Sequence, residues 1–134
     1  MRKIILIMLF VVSTIIASAQ TTWFTTSHFS ATSLPKIEWS EWTPVEIQVS
    51  IDVSANRIVI FSSEQQIIDV RSFVKKTFPN CDAYGSYATD TNYGLIYVSL
   101  YFFTTGEVQL EIQYSDVAYK YQFKELNDKQ RTFY

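Results

Sequence analysis

Bond-making chemistry needs nucleophiles, proton carriers or metal ligands at workable spacing, and this sequence holds few of them. His28 is the sole histidine and Cys81 the sole cysteine. One imidazole gives one candidate general base and no histidine pair for a metal. A Cys81–His28 nucleophile and base can be written on paper, yet neither residue carries a supporting local motif, and no serine sits in a nucleophile elbow. His28 stands in "TTSHFSATS", a stretch that reads more simply as solvent-facing and polar. Asp52, Asp69, Asp82, Asp90 and Asp116 could in principle furnish the carboxylate pair of a glycosidase. Most of them fall at expected strand ends or turns, where an aspartate accepts from nearby backbone amides and needs no other purpose. "DTNYG", Asp90 to Gly94, has oxygen donors without the spacing of a calcium loop and reads as a hairpin turn. No catalytic residue, metal ligand or cofactor is therefore expected.

Aromatic residues are the better candidates. "EWSEWTP", residues 38–44, sets Trp39 and Trp42 three apart, so on a continuous strand they face opposite sides, with Pro44 marking a bend or edge. In the structural reading one indole closes the end of a core and the other is half exposed. In the functional reading they form a platform for a sugar or peptide together with Tyr84, Tyr87, Tyr97 or Tyr101, because flat amphipathic rings suit partly wet surfaces.

The elements that must position these groups are strands. In "PVEIQVSIDV" Val45, Ile47, Val49, Ile51 and Val53 alternate with polar residues, the period-two signature of a half-buried strand. A turn over 52–56 leads to "RIVIF", Arg57 to Phe61, as a hairpin partner. "LIYVSLYFF" puts Ile96, Val98, Leu100 and Phe102 on one face. "EVQLEIQY" does the same with Val108, Leu110, Ile112 and Tyr114, and "VAYKYQF" with Val117, Tyr119, Tyr121 and Phe123. Gly106 suits the hairpin loop between the first two. Thr21 to Leu34, with Trp23, Phe29 and Ala31 in one parity, predicts a first strand, and Cys81 to Asp90 another, kinked at Gly85. Residues 63–76 fit two periods. Ser63 with Gln66 makes a capping box ahead of Ile67, Val70 and Val74 at helical spacing, while Ile68 and Val70 alternate as a strand after a short turn. The whole predicts an all-β domain, a single antiparallel meander of seven or eight short strands, closed as a barrel or folded as a sandwich, with a possible short helix near 63–76. Residues 124–134 read as a polar tail that frays.

Met1-Arg2-Lys3, the apolar run from Ile4 and Ala17-Ser18-Ala19 have the three parts of a secretory signal peptide, with cleavage expected after Ala19. Residues 20–134 then form the single domain, secreted or periplasmic. The run is too short to span a bilayer. The formal charge is -2 and becomes more acidic once Arg2 and Lys3 are removed. Without a basic run, nucleic acid is excluded as a partner. Lipid-facing strands do not fit either, since the outward parities are Glu, Gln, Ser and Lys, so no stable membrane insertion is expected after cleavage. A lone Cys81 makes no intrachain disulfide and reads as a small buried hydrophobe.

The succession "FSATSL", "WSEWTPVEIQVSIDVSANRIVIFSSEQQIIDV", "ATDTNYGLIYVSLYF" and "VQLEIQYSDVAYKYQF" resembles a group of small secreted β-proteins of gut Gram-negative bacteria that has no assigned activity. The resemblance spans most of residues 20–134 through Trp39, Trp42, Ile51-Asp52, Arg57-Ile58, Gln66, Asp90, Gly94 and Tyr114-Ser115-Asp116, and departs from the pattern over 73–87. It implies export and β-structure and leaves activity open. The functional expectation is an exported, non-catalytic module that binds a protein, peptide or glycan. The alternative is a small exported hydrolase built on His28, or an enzyme inhibitor presenting a loop near residues 80–87.

Overall fold

The structure, a computed structural model, describes residues 21–131; the expected leader and its cleavage site lie outside the described residues. Ten strands follow in order: β1 Thr21–Ser33, β2 Thr43–Pro44, β3 Gln48–Asp52, β4 Arg57–Phe61, β5 Gln66–Val70, β6 Val74–Phe78, β7 Cys81–Asp90, β8 Gly94–Phe103, β9 Val108–Gln113 and β10 Val117–Phe123. One helical turn, α1 Asp128–Arg131, comes last. Eight strands close into an antiparallel barrel in the order β1-β3-β4-β5-β7-β8-β9-β10, and β10 pairs back onto β1. The expected meander is thus present, as a barrel rather than a sandwich. The two further strands extend long neighbours: β2 continues the edge of β1 beyond β3, and β6 continues the edge of β7 beyond β5. Neither was legible, because Thr43–Pro44 is too short to alternate and β6 is exposed at every residue.

Alternation sets the inside. Val49, Ile58, Ile60, Ile68, Val98, Leu110 and Ile112 are all at most 1% exposed and fill the barrel as one cluster. Burying an aliphatic side chain of this size contributes roughly 1.5–3 kcal/mol, so this face of the strands supplies most of the driving force.

Several expectations need correction. Trp23 does not share a face with Phe29 and Ala31. The register of β1 against β10 slips between Thr26 and His28, a β-bulge that reverses parity midway. Phe24 therefore enters the core stacked on Phe123 at 4.9 Å, while Trp23 lies outside against Phe61. Residues 63–76 hold no helix. Gln66–Val70 pairs with β4 and β7, since Ile68 and Val70 gain a barrel interior that a helix could not offer. The segment 124–131 does not fray: Leu126 is buried in the core, Lys124 N donates to Thr25 O, and Gln130 Nε2 donates to Trp23 O at 2.6 Å. Residues 80–87 form turn and strand rather than a protruding loop.

Turns give the barrel two distinct ends. The β3–β4 and β8–β9 turns lie at one, with Gly106 at φ 95° in the latter. The β4–β5, β7–β8 and β9–β10 turns lie at the other. There "DTNYG" forms the β7–β8 hairpin, with Asp90 opposite Gly94 and Gly94 at φ 81°, as its spacing predicts.

Candidate functional site

The end formed by the β4–β5, β7–β8 and β9–β10 turns opens as a cup of about 680 Å³. Its walls are aromatic because β9, aliphatic at Val108, Leu110 and Ile112, runs out at a tyrosine, and β10 carries rings on its inward parity. β10 contributes Tyr119 and Tyr121 from its inward parity, β9 runs out at Tyr114, β1 supplies Phe29 after its bulge, and the β7–β8 turn adds Tyr93. The rings support one another. Phe29 lies 5.5 Å from Tyr119 and 5.3 Å from Tyr121, and Tyr114 meets Tyr93 and Tyr119 edge-on at 5.7 and 5.8 Å.

A buried polar chain joins this wall to the turn beside it. Asp90 is 1% exposed; its Oδ1 accepts from Asn92 N at 2.8 Å and its Oδ2 from the Tyr114 hydroxyl at 2.9 Å. Having given its one hydrogen to Asp90, the hydroxyl accepts from Gln66 Nε2 at 3.2 Å. That fixes the amide's orientation and leaves Gln66 Oε1 buried without a donor among the described residues, an arrangement that costs about 1–3 kcal/mol. Burial, then the hydrogen bond and charge of Asp90, push the Tyr114 hydroxyl well above the ordinary tyrosine pKa. Tyr121 is pushed up to about 12 by burial, with Tyr119 adding to it. Both phenols stay protonated at neutral pH, so the cup presents neutral hydroxyls and rings, not phenolates.

The six aromatic residues singled out in the sequence do not converge. Trp39 and Trp42 belong to the segment 34–47, which runs along the outer edge of β1. Ser30 Oγ and Thr32 Oγ1 donate to the backbone of Ser40 and Lys36, Thr26 Oγ1 donates to Val45 O, and Ser40 N donates to Ala31 O. These bonds explain the Ser/Thr-rich first strand. Neither indole enters the core, contrary to the expectation that one would close it, because residues 37–42 are not in a strand. Instead Lys120 Nζ sits 4.0 Å from the Trp39 ring and 5.4 Å from Trp42. Burial lowers the Lys120 pKa, against the opposing pull of Glu111. Burial likewise raises Glu111, with Tyr101 and the Lys120 charge opposing the rise. Tyr87 and Tyr97 form a separate edge-on pair at 5.2 Å on β7 and β8. Tyr84 turns inward toward the opposite end, edge-on to Phe102.

The polar candidates also separate. β1 and β7 stand four strands apart in either direction round the barrel, so His28 and Cys81 are on opposite walls. His28 Nδ1 is 3.0 Å from Ser27 Oγ, and Cys81 is buried. Asp52 Oδ1 accepts from Ser54 Oγ and Ala55 N, the turn role its position predicts, which holds its pKa down. Asp69 pairs with Arg57 and Asp82 with Lys75. Among the described residues no group of three His, Cys, Asp or Glu could hold a metal ion. Neither a family model, a curated protein nor a solved structure matches the chain.

Proposed function

We propose that the protein is an exported, non-catalytic binding module whose ligand enters the tyrosine cup. The observation that carries this reading is the meeting of five aromatic rings with a buried polar chain in which Gln66 Oε1 lacks a donor. A concave, ring-lined site with a few convergent polar groups is the form small-molecule sites take. Separation of His28 from Cys81 supports binding over hydrolysis. An apolar interior with Glu, Gln and Lys outside supports a module that stays out of the bilayer, since a membrane barrel has the reverse polarity. The leader-like residues 1–19 support export; protein recovered outside the cytoplasm is expected to begin at Gln20, and retention of Met1 would contradict it.

The exterior platform of Trp39 and Trp42 is the weaker place for a ligand, because Lys120 already occupies the ring pair. A calorimetric screen of neutral oligosaccharides and small aryl compounds tests the choice between the two sites. Binding is expected to weaken at least tenfold in Tyr93→Ala, whose side chain is 59% exposed and outside the core, and to persist in Trp42→Ala. The opposite pattern would move the site to the platform, and turnover of a probe that depends on His28 would replace the module with an enzyme.

A further inference from the structure

We infer that the cup selects an organic ammonium ion carrying N–H donors, an inference that rests on the cup being the binding site. Among the described residues both charged side chains that line it, Glu64 and Asp116, are carboxylates, and no Lys, Arg or His does so. Tyr93 and Tyr119 stand at 85° and 72° to Tyr114, so the ring planes that line the cup cross instead of stacking. Ring faces carry the negative part of the aromatic quadrupole, and crossed faces around one space are how proteins hold ammonium groups.

The unpartnered polar atom points to the same ligand. Gln66 Oε1 is an acceptor, so what would satisfy it is a donor. It belongs to a half-buried side chain that lines the cup. A carboxylate ligand would meet Glu64 and Asp116 with no counter-charge. A neutral sugar would stack on the rings and donate hydroxyl hydrogens to the carboxylates without charge attraction, whereas a primary ammonium adds that attraction to both carboxylates and ring faces. Elsewhere in the molecule the same chemistry is already present, in the Lys120 ammonium held by Trp39 and Trp42.

Three probes with one ring system and different heads test this by calorimetry at neutral pH: tryptamine, tryptophol and indole-3-acetate. Tryptamine is expected to bind at least tenfold tighter than tryptophol, with indole-3-acetate weakest. Glu64→Gln with Asp116→Asn, both exposed turn residues, should abolish the preference without unfolding the barrel. Equal binding of tryptamine and tryptophol, lost in Tyr93→Ala, would overturn the ammonium selectivity and leave the cup standing as a site. Failure of all three indoles while a neutral oligosaccharide binds and requires Tyr93 would do the same. Silence of the indoles and the oligosaccharides alike would overturn both the selectivity and the cup.

Discussion

The two ends of the barrel are made from the same alternating strands and finish differently. At the end holding the β3–β4 turn, the inward residues of β3, β4 and β5 are aliphatic, and Tyr84 and Phe102 pack against them. Ile51, Ile58, Val70 and Leu100 line an apolar cavity of about 350 Å³ beside Phe73 and Tyr84. Two charged side chains there are held in place: Asp52 by Thr21, Ser54 and Ala55, and Arg57 by Asp69. At the cup end β9 runs out at Tyr114 and β10 turns Tyr119 and Tyr121 inward, and Gln66 Oε1 is left over beside two rim carboxylates. The difference teaches that in a small barrel one end can be given mainly to packing while the other, here the proposed binding end, keeps a buried acceptor without a donor. Stability and binding should then separate by end.

The largest effect should come from the aliphatic end. Leu100→Ala removes a side chain that is 3% exposed and lines the existing cavity, so about 2–5 kcal/mol of stability should be lost in urea denaturation. Tryptamine affinity should be unchanged, and a parallel loss of affinity would show that the ends are coupled. Next in size is Tyr114→Phe. It strips Asp90 Oδ2 and Gln66 Nε2 of their partner, which should destabilise by about 1–3 kcal/mol and also weaken the cup's ligand. An unaltered urea midpoint would mean that this buried chain contributes nothing to the fold.

Alkali should sharpen the contrast further. Tyr114 and Tyr121 hold their protons more tightly folded than unfolded, and the unfolded chain releases them near the ordinary tyrosine pKa of about 10. Their contribution is complete below that pH and is lost as pH rises through the folded values, about 12 for Tyr121. Unfolding midpoints should therefore be insensitive to these groups at pH 8–9 and fall progressively above 10. Tyr121→Phe should flatten the fall, and an identical pH profile in that variant would contradict the assignment. The smallest effect is expected from Lys120→Met. It removes a partly exposed cation from the Trp39 and Trp42 rings and should lower stability by about 0.5–1 kcal/mol, with tryptophan fluorescence shifted and cup binding unaffected.

Much of the barrel was legible because period-two alternation is a local signal. The facing residues of β8, β9 and β10 and the β3–β4 hairpin follow directly from it. Alternation failed where the backbone broke its own count, at the bulge near Ser27 that sent Trp23 outward. It failed again at β6, whose residues bury nothing and so leave no pattern. The cup was harder to read. Tyr114, Tyr119 and Tyr121 stood correctly on an inward face, but nothing local joins Gln66 to Tyr114 across 48 positions or Asp90 to Tyr114 across 24. Closure of the barrel brings them together. Trp39 and Trp42 drew attention by composition alone, and their partner Lys120 lies on the last strand, invisible from "EWSEWTP".

Tyrosine reporters placed at both ends give the most direct test. In protein labelled with ¹³C-tyrosine and titrated with tryptamine, the ring resonances of Tyr93, Tyr114, Tyr119 and Tyr121 should shift together while Tyr84 stays still. A shift at Tyr84 with the other four unmoved would place the ligand in the aliphatic end and contradict the account.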